Sequence, residues 1–119
     1  MPKTNEIATL AQTLAQFAHE RDWDQFHTPK NLVMALSVEV AELLEEFQWL
    51  TEDQSAHLAQ DKLAKVKDEI GDVFNYLVRL SSKLGVDPIA AANDKIVKNG
   101  MKYPVEKAKG NSKKYTELG

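Results

Sequence analysis

No stretch of this chain alternates apolar and polar residues for long enough to make a strand. Its apolar residues recur every three or four positions, the helical period, over most of its length. Only five glycines interrupt 119 residues. Two residue pairs mark helix starts, Thr28-Pro29 and Asp87-Pro88. Each joins a side-chain oxygen that accepts from a free first-turn N–H to a proline whose missing N–H costs nothing at the first helical position. The pattern predicts a first helix after Thr4 as N-cap, running to about Arg21 with Ile7, Leu10, Leu14 and Phe17 on one face. A second runs from Pro29 to about Leu50. The polar segment TEDQSAHLAQD holds one short helical turn. A third helix runs from near Asp61 to Leu84, closed by Gly85, and a fourth from Pro88 to near Met101. From about residue 103 the chain is rich in Lys, Gly, Asn and Ser and is expected to be an extended tail. The expected architecture is a single all-α domain over residues 1–119, a four-helix bundle.

Composition narrows the function. There is no cysteine, which rules out disulfides, thiolate chemistry and Cys-ligated zinc. The net charge of −3 gives no bulk attraction for a nucleic acid polymer. No apolar run reaches the roughly 20 residues of a membrane span, and MPKTNEIATL lacks the layout of a signal peptide. The chain is expected to be cytoplasmic.

Two acidic segments repeat one spelling. EVAELLEEFQW covers Glu39 to Trp49, and EIGDVFNYL covers Glu69 to Leu77. At about 100° per residue, Leu36, Val40, Leu43 and Phe47 form an apolar stripe with Glu39, Glu42 and Glu46 along its border. On the third helix Val66, Ile70, Val73 and Leu77 form the stripe, and Glu69, Asp72 and Tyr76 take the same border positions. If the stripes face each other, the acids meet at one groove. Neighbouring carboxylates repel, and more so when desolvated. Lys62 and Lys65 offset part of this, and a hard divalent cation offsets it better. Four carboxylates with no His or Cys among them point to Mg²⁺, or Mn²⁺, rather than zinc. A solvated acidic flank is the alternative. A di-iron bundle would want Glu-x-x-His pairs, which neither segment has.

EVAELLEEFQW and DEIGDVFNYLVRLS together resemble the MazG-like all-α nucleotide pyrophosphohydrolases. The likeness extends to ERDWDQFHTPKNL upstream and DKIVKNGMKYPVEKAKGNSKKYTEL downstream, and is nearest to the dCTP pyrophosphatase branch. It implies Mg²⁺-dependent hydrolysis of a nucleoside triphosphate, dCTP or a modified dCTP first, between the α and β phosphates. It places the metal on Glu39, Glu42, Glu69 and Asp72, with Glu39 or Glu42 as the base that activates water, and Glu45 and Glu46 behind them. It implies phosphate contacts from Lys95, Asn99 and Lys102, which share one helix face, with Tyr103 beside them. Trp23, His27, Trp49 and Tyr76 match positions around the base, with Phe26 nearby. Leu14 stands where vertebrate members carry a histidine. A homotetramer built as a dimer of dimers, with sites shared between chains, is also implied. Competing readings are a dUTP or other non-canonical nucleotide pyrophosphatase, and a non-catalytic helical interaction module with an acidic rim.

Overall fold

The computed structural model describes residues 5–117. Among them there is no strand, and six α-helices occur: α1 (Glu6–Glu20), α2 (Pro29–Glu45), α3 (Glu52–Ala56), α4 (Gln60–Leu84), α5 (Pro88–Lys102) and α6 (Val105–Ala108). Single 3₁₀ turns lie at Asp24–Phe26 and Tyr115–Glu117. The chain divides after Gly85 into two compact units.

The expected punctuation operates. Thr28 caps α2 by accepting from the Asn31 N–H, with Pro29 following. Asp87 caps α5 by accepting from the Ile89 and Ala90 N–H groups, with Pro88 following. Gly85 takes the left-handed conformation, φ 67°, that ends α4. The expected cap Thr4 lies outside the described residues. Asn5 caps α1, accepting from Ile7 and Ala8. The expected short turn after Leu50 is α3, closed by a reciprocal capping box between Thr51 and Gln54.

Two elements differ from expectation. α2 stops at Glu45, not near Leu50. Past it the chain tightens into turns in which the Phe47 N–H bonds the Leu44 carbonyl and the Leu50 N–H bonds the Phe47 carbonyl, i to i−3. The tail, expected to be extended, contains α6 and a 3₁₀ turn.

In the first unit α2 and α1 both lie along α4. Its buried apolar side chains are Ala18, Leu32, Val66 and Val78. The least exposed row runs along α2 through Leu32, Leu36, Glu39 and Leu43 to Glu46 just past its end, and along α4 through Lys62, Val66, Glu69, Val73 and Tyr76, with Leu32 and Val66 buried and the others half-buried. Val40, Ile70 and Leu77, assigned above to the core stripe, are 47%, 55% and 40% exposed. The apolar surface of each helix is wider than one stripe. The centre of that row lies only about 20° from the first glutamate of each segment, so Glu39 and Glu69 sit within the contact row, while Glu42 and Asp72 stay on its exposed border. Val40, Leu44, Ile70, Phe74 and Leu77 form apolar surface that the single chain leaves open.

Candidate active site

Because Glu39 and Glu69 hold equivalent places on α2 and α4, helix packing drives them together. Both are half-buried, and one carboxylate oxygen of each, Oε2, is buried without a hydrogen-bond partner. Such orphaned acceptors are costly, and a native protein keeps them where something else satisfies them. Glu39, Glu69 and Asp72 each offer one oxygen, and these lie within 4.8 Å of one another. Glu42 is more exposed and falls outside that group, but its carboxylate presses on both Glu39 and Glu69. Glu46 shares the row but is engaged elsewhere, its carboxylate 2.9 Å from the Lys62 ammonium. Glu45 is exposed.

The electrostatics follow from the crowding. Burial, then Glu42, Asp72 and Glu69, push the Glu39 carboxyl up to about 7. Burial and Glu42 raise Glu69 as well. Burial, with the charges of Glu39 and Asp72, raises the Tyr76 phenol. Without a cation, Glu39 therefore binds its proton more tightly when folded than at its ordinary 4.5. That retained proton stabilises the fold at low pH, and the benefit is lost as pH rises through about 7. Metal-free protein is expected to melt higher at about pH 5.5 than at about pH 8.5. Mg²⁺ should raise the melting temperature more at the higher pH. Scanning fluorimetry in EDTA measures this, with Glu39→Gln shrinking the difference. Because His27, held below the ordinary histidine range, works the other way at about pH 5.5 in both proteins, the comparison with Glu39→Gln decides: a pH difference identical in the two would contradict the assignment.

Beside the acids lies a cavity of about 400 Å³. Leu10, Leu14, Phe17, Ala18 and Trp23 supply its apolar wall, and Thr13, His27, Asp72, Asn75, Tyr76 and Arg79 its polar one. Trp23 is held edge-on to Phe17 with centroids 5.7 Å apart, and the His27 ring stands 6.2 Å from it. The volume and the aromatic wall suit one flat heterocycle. Three of the four expected base-site residues, Trp23, His27 and Tyr76, meet here. Trp49 does not line this cavity, and is 87% exposed beyond the end of α2. Phe26, expected beside them, is also exposed and outside it. Leu14 is in the wall.

Sequence reasoning missed Arg79. It is buried, donates to Asp24 and His27, and forms part of the cavity wall. The signal was present in its phase, three residues after Tyr76 and seven after Asp72, on the acid-bearing side of α4.

The second unit carries the expected phosphate residues. Lys95 and Lys102 come together on α5, and the Lys102 charge, with burial and Lys98, holds Lys95 below the ordinary lysine range. The Lys102 ammonium lies 4.8 Å from the Tyr115 ring centre, and Tyr115 meets Tyr103 edge to face. The Asn99 carbonyl accepts from the Tyr103 N–H, tying the cap of α5 to that helix. Crowded cations of this kind suit a polyanion.

No helix among the described residues is long and apolar enough to cross a membrane. The model of the MazG-like family matches residues 34–118. The chain is 43% identical over 106 residues to human dCTP pyrophosphatase 1, covering 87% of this chain and 62% of that protein. Mouse dCTP pyrophosphatase 1 is 42% identical over the same length and coverage. The chain thus spans about three-fifths of the length of the curated relatives it matches. A crystallised pyrophosphatase from Archaeoglobus fulgidus superposes with a TM-score of 0.81 at 38% identity, covering 87% of this chain and 97% of that one. With both acidic segments inside a family match that takes in most of its length, the chain belongs to the MazG-like family.

Proposed function

We propose that the protein hydrolyses a nucleoside triphosphate between its α and β phosphates, giving a nucleoside monophosphate and pyrophosphate, with dCTP or a modified dCTP as substrate. One observation carries this reading above the others. Asp72 belongs both to the converging acids and to the wall of the aromatic cavity, so a base in the cavity has its phosphates beside the carboxylates. The names of the mammalian and archaeal relatives support the reaction class.

The acids fit a hard cation. Their donors are all oxygen, and Glu39 and Glu69 each keep a buried oxygen without a partner. Glu39, Glu42, Glu69 and Asp72 would hold Mg²⁺, with Mn²⁺ an acceptable substitute. When bound, such an ion neutralises phosphate charge and polarises phosphorus. The chain's own residues do the rest. Glu39 or Glu42 takes a proton from water at a carboxylate oxygen as that water attacks the α-phosphorus. Trp23 and Phe17 hold the base, and the apolar wall excludes solvent. Lys95, Asn99, Lys102 and Tyr103 are proposed to hold the phosphate chain and the leaving pyrophosphate. The open apolar surface around Val40, Leu44, Ile70 and Leu77 supports assembly as a tetramer, a dimer of dimers, and exposed Trp49 fits a role in an assembled site.

The test is a panel of deoxynucleoside triphosphates with Mg²⁺, assayed for pyrophosphate and orthophosphate separately. Pyrophosphate release abolished by EDTA, and cut at least about 100-fold by Glu42→Gln, is expected. Orthophosphate release would overturn the cleavage position. Preference for dUTP would overturn the substrate. No turnover of any nucleotide, with folding indifferent to EDTA, would leave the interaction module.

A further inference from the structure

Among the described residues Arg79 is the buried charged side chain, 7% exposed. A guanidinium keeps its charge at any accessible pH, so burying it requires acceptors. It has two. One terminal nitrogen, Nη2, donates to Asp24 Oδ1, and Nε donates to His27 Nδ1 at 3.2 Å.

The second bond has a consequence for the cavity. Arginine Nε carries a hydrogen at all times and only donates, so His27 Nδ1 must accept and carry no proton. The single proton of the neutral ring then sits on Nε2. Protonating the ring would set N–H against N–H. In keeping with this, burial and the Arg79 charge hold His27 below the ordinary histidine range, Lys83 adding to them and Asp24 opposing. Nε2 has no protein partner among the described residues and is not sealed from solvent, and the ring lines the cavity.

We propose that Arg79 is a positioning residue that fixes His27 as the Nε2–H tautomer, so that the cavity offers a standing hydrogen-bond donor to an acceptor atom on the edge of the bound base. This rests on reading the cavity as the base site. A ring carbonyl or an unprotonated ring nitrogen satisfies the donor. An amino group in that place meets a second N–H and is refused, which selects both the base and its orientation. The role differs from simple structural support, because the same packing with the opposite tautomer would present an acceptor.

The experiment uses ¹⁵N-histidine-labelled protein and two-bond ¹H–¹⁵N correlation spectra, first without ligand and then with dCMP. In the ligand-free protein His27 is expected as the pure Nε2–H tautomer near neutral pH. Finding Nδ1 protonated overturns the proposal without reference to any substrate. With dCMP the His27 Nε2 proton is expected to move downfield as it enters a hydrogen bond. If Trp23 and Phe17 signals shift while His27 Nε2–H does not, the cavity holds the base and His27 is not its donor. If no cavity residue responds, the base-site reading itself fails. Arg79→Met is expected to mix the two tautomers and to raise KM more than it lowers kcat, by about three- to ten-fold for one lost hydrogen bond. His27→Phe should raise KM similarly, and His27→Gln, which keeps a donor, by less. Should Arg79→Met not fold, the tautomer in the unaltered protein still decides.

Discussion

Glu39→Gln is expected to abolish turnover while making the metal-free protein more stable. Glutamine keeps the shape of the side chain and its place in the α2–α4 row. It removes one negative charge from a cluster in which burial, Glu42, Asp72 and Glu69 all disfavour the charged form. Above pH 7, where the wild-type carboxyl is forced to ionise, the substitution relieves repulsion and desolvation together. The melting temperature in EDTA should therefore rise at about pH 8.5, the opposite of most substitutions in a half-buried row. The cost falls on cation binding. Disturbing residues behind a metal site already costs about 10- to 100-fold, so loss of a direct carboxylate should lower kcat/KM by at least about 100-fold. The rise in melting temperature on adding Mg²⁺ should vanish with it. Calorimetry with and without Mg²⁺ beside a pyrophosphate assay reads both effects. A variant destabilised in EDTA but still stabilised by Mg²⁺ would show that Glu39 is an ordinary packing residue.

Leu32→Ala is expected to have the largest effect on stability. Leu32 and Val78 are the largest fully buried side chains in a chain that leaves much of its apolar surface open. Leu32 lies seven residues before Glu39, two turns along the same row of α2. It therefore helps to fix how α2 lies along α4, and so where the acids meet. Truncating a buried leucine costs about 2–5 kcal/mol, depending on how far the site collapses. For a domain of this size that lowers the melting temperature by about 10 °C or more. Leu32→Ile, which conserves volume, should cost less than about 1.5 kcal/mol. Thermal and urea unfolding at fixed protein concentration check this. A loss under about 0.5 kcal/mol would mean that the fold draws its stability chiefly from surfaces covered by other chains.

Helix boundaries were legible wherever a residue with only one good local conformation stood at the junction. Thr28-Pro29, Asp87-Pro88 and Gly85 each forced a decision, and each is a cap in the structure. Past Glu45 no glycine or proline stops the pattern before Thr51, so the tightening into i to i−3 turns left no trace in the periodicity. The convergence of the acids was legible because both segments carry the same phase on their helices. Their depth was not. The apolar residues run from the acid row round to Val40, Leu44, Ile70, Phe74 and Leu77, and periodicity alone could not say which part of that width is buried, so Val40, Ile70 and Leu77 were placed inside when they lie out.

The cavity was half legible. Trp23, His27 and Tyr76 were expected near the base and do meet, while Trp49 stands apart. The phase of Arg79 put it on the acid-bearing side of α4, but its pairing was not legible, because its partners, Asp24 and His27, are more than 50 residues away in the chain. A long-range pair of this kind has no local signature. It becomes readable only once α1, the 3₁₀ turn after it and α4 are placed side by side.

The most direct test of the account is Mn²⁺ binding followed by electron paramagnetic resonance, since free Mn²⁺ gives a sharp signal that is broadened away on binding. Metal-free protein should bind Mn²⁺, and binding should be lost in both Glu39→Gln and Glu69→Gln, from two different helices, while Glu52→Gln on exposed α3 leaves it intact. Binding unchanged in the first two variants, or lost equally in all three, would contradict the claim that α2 and α4 bring their acids together to hold a divalent cation.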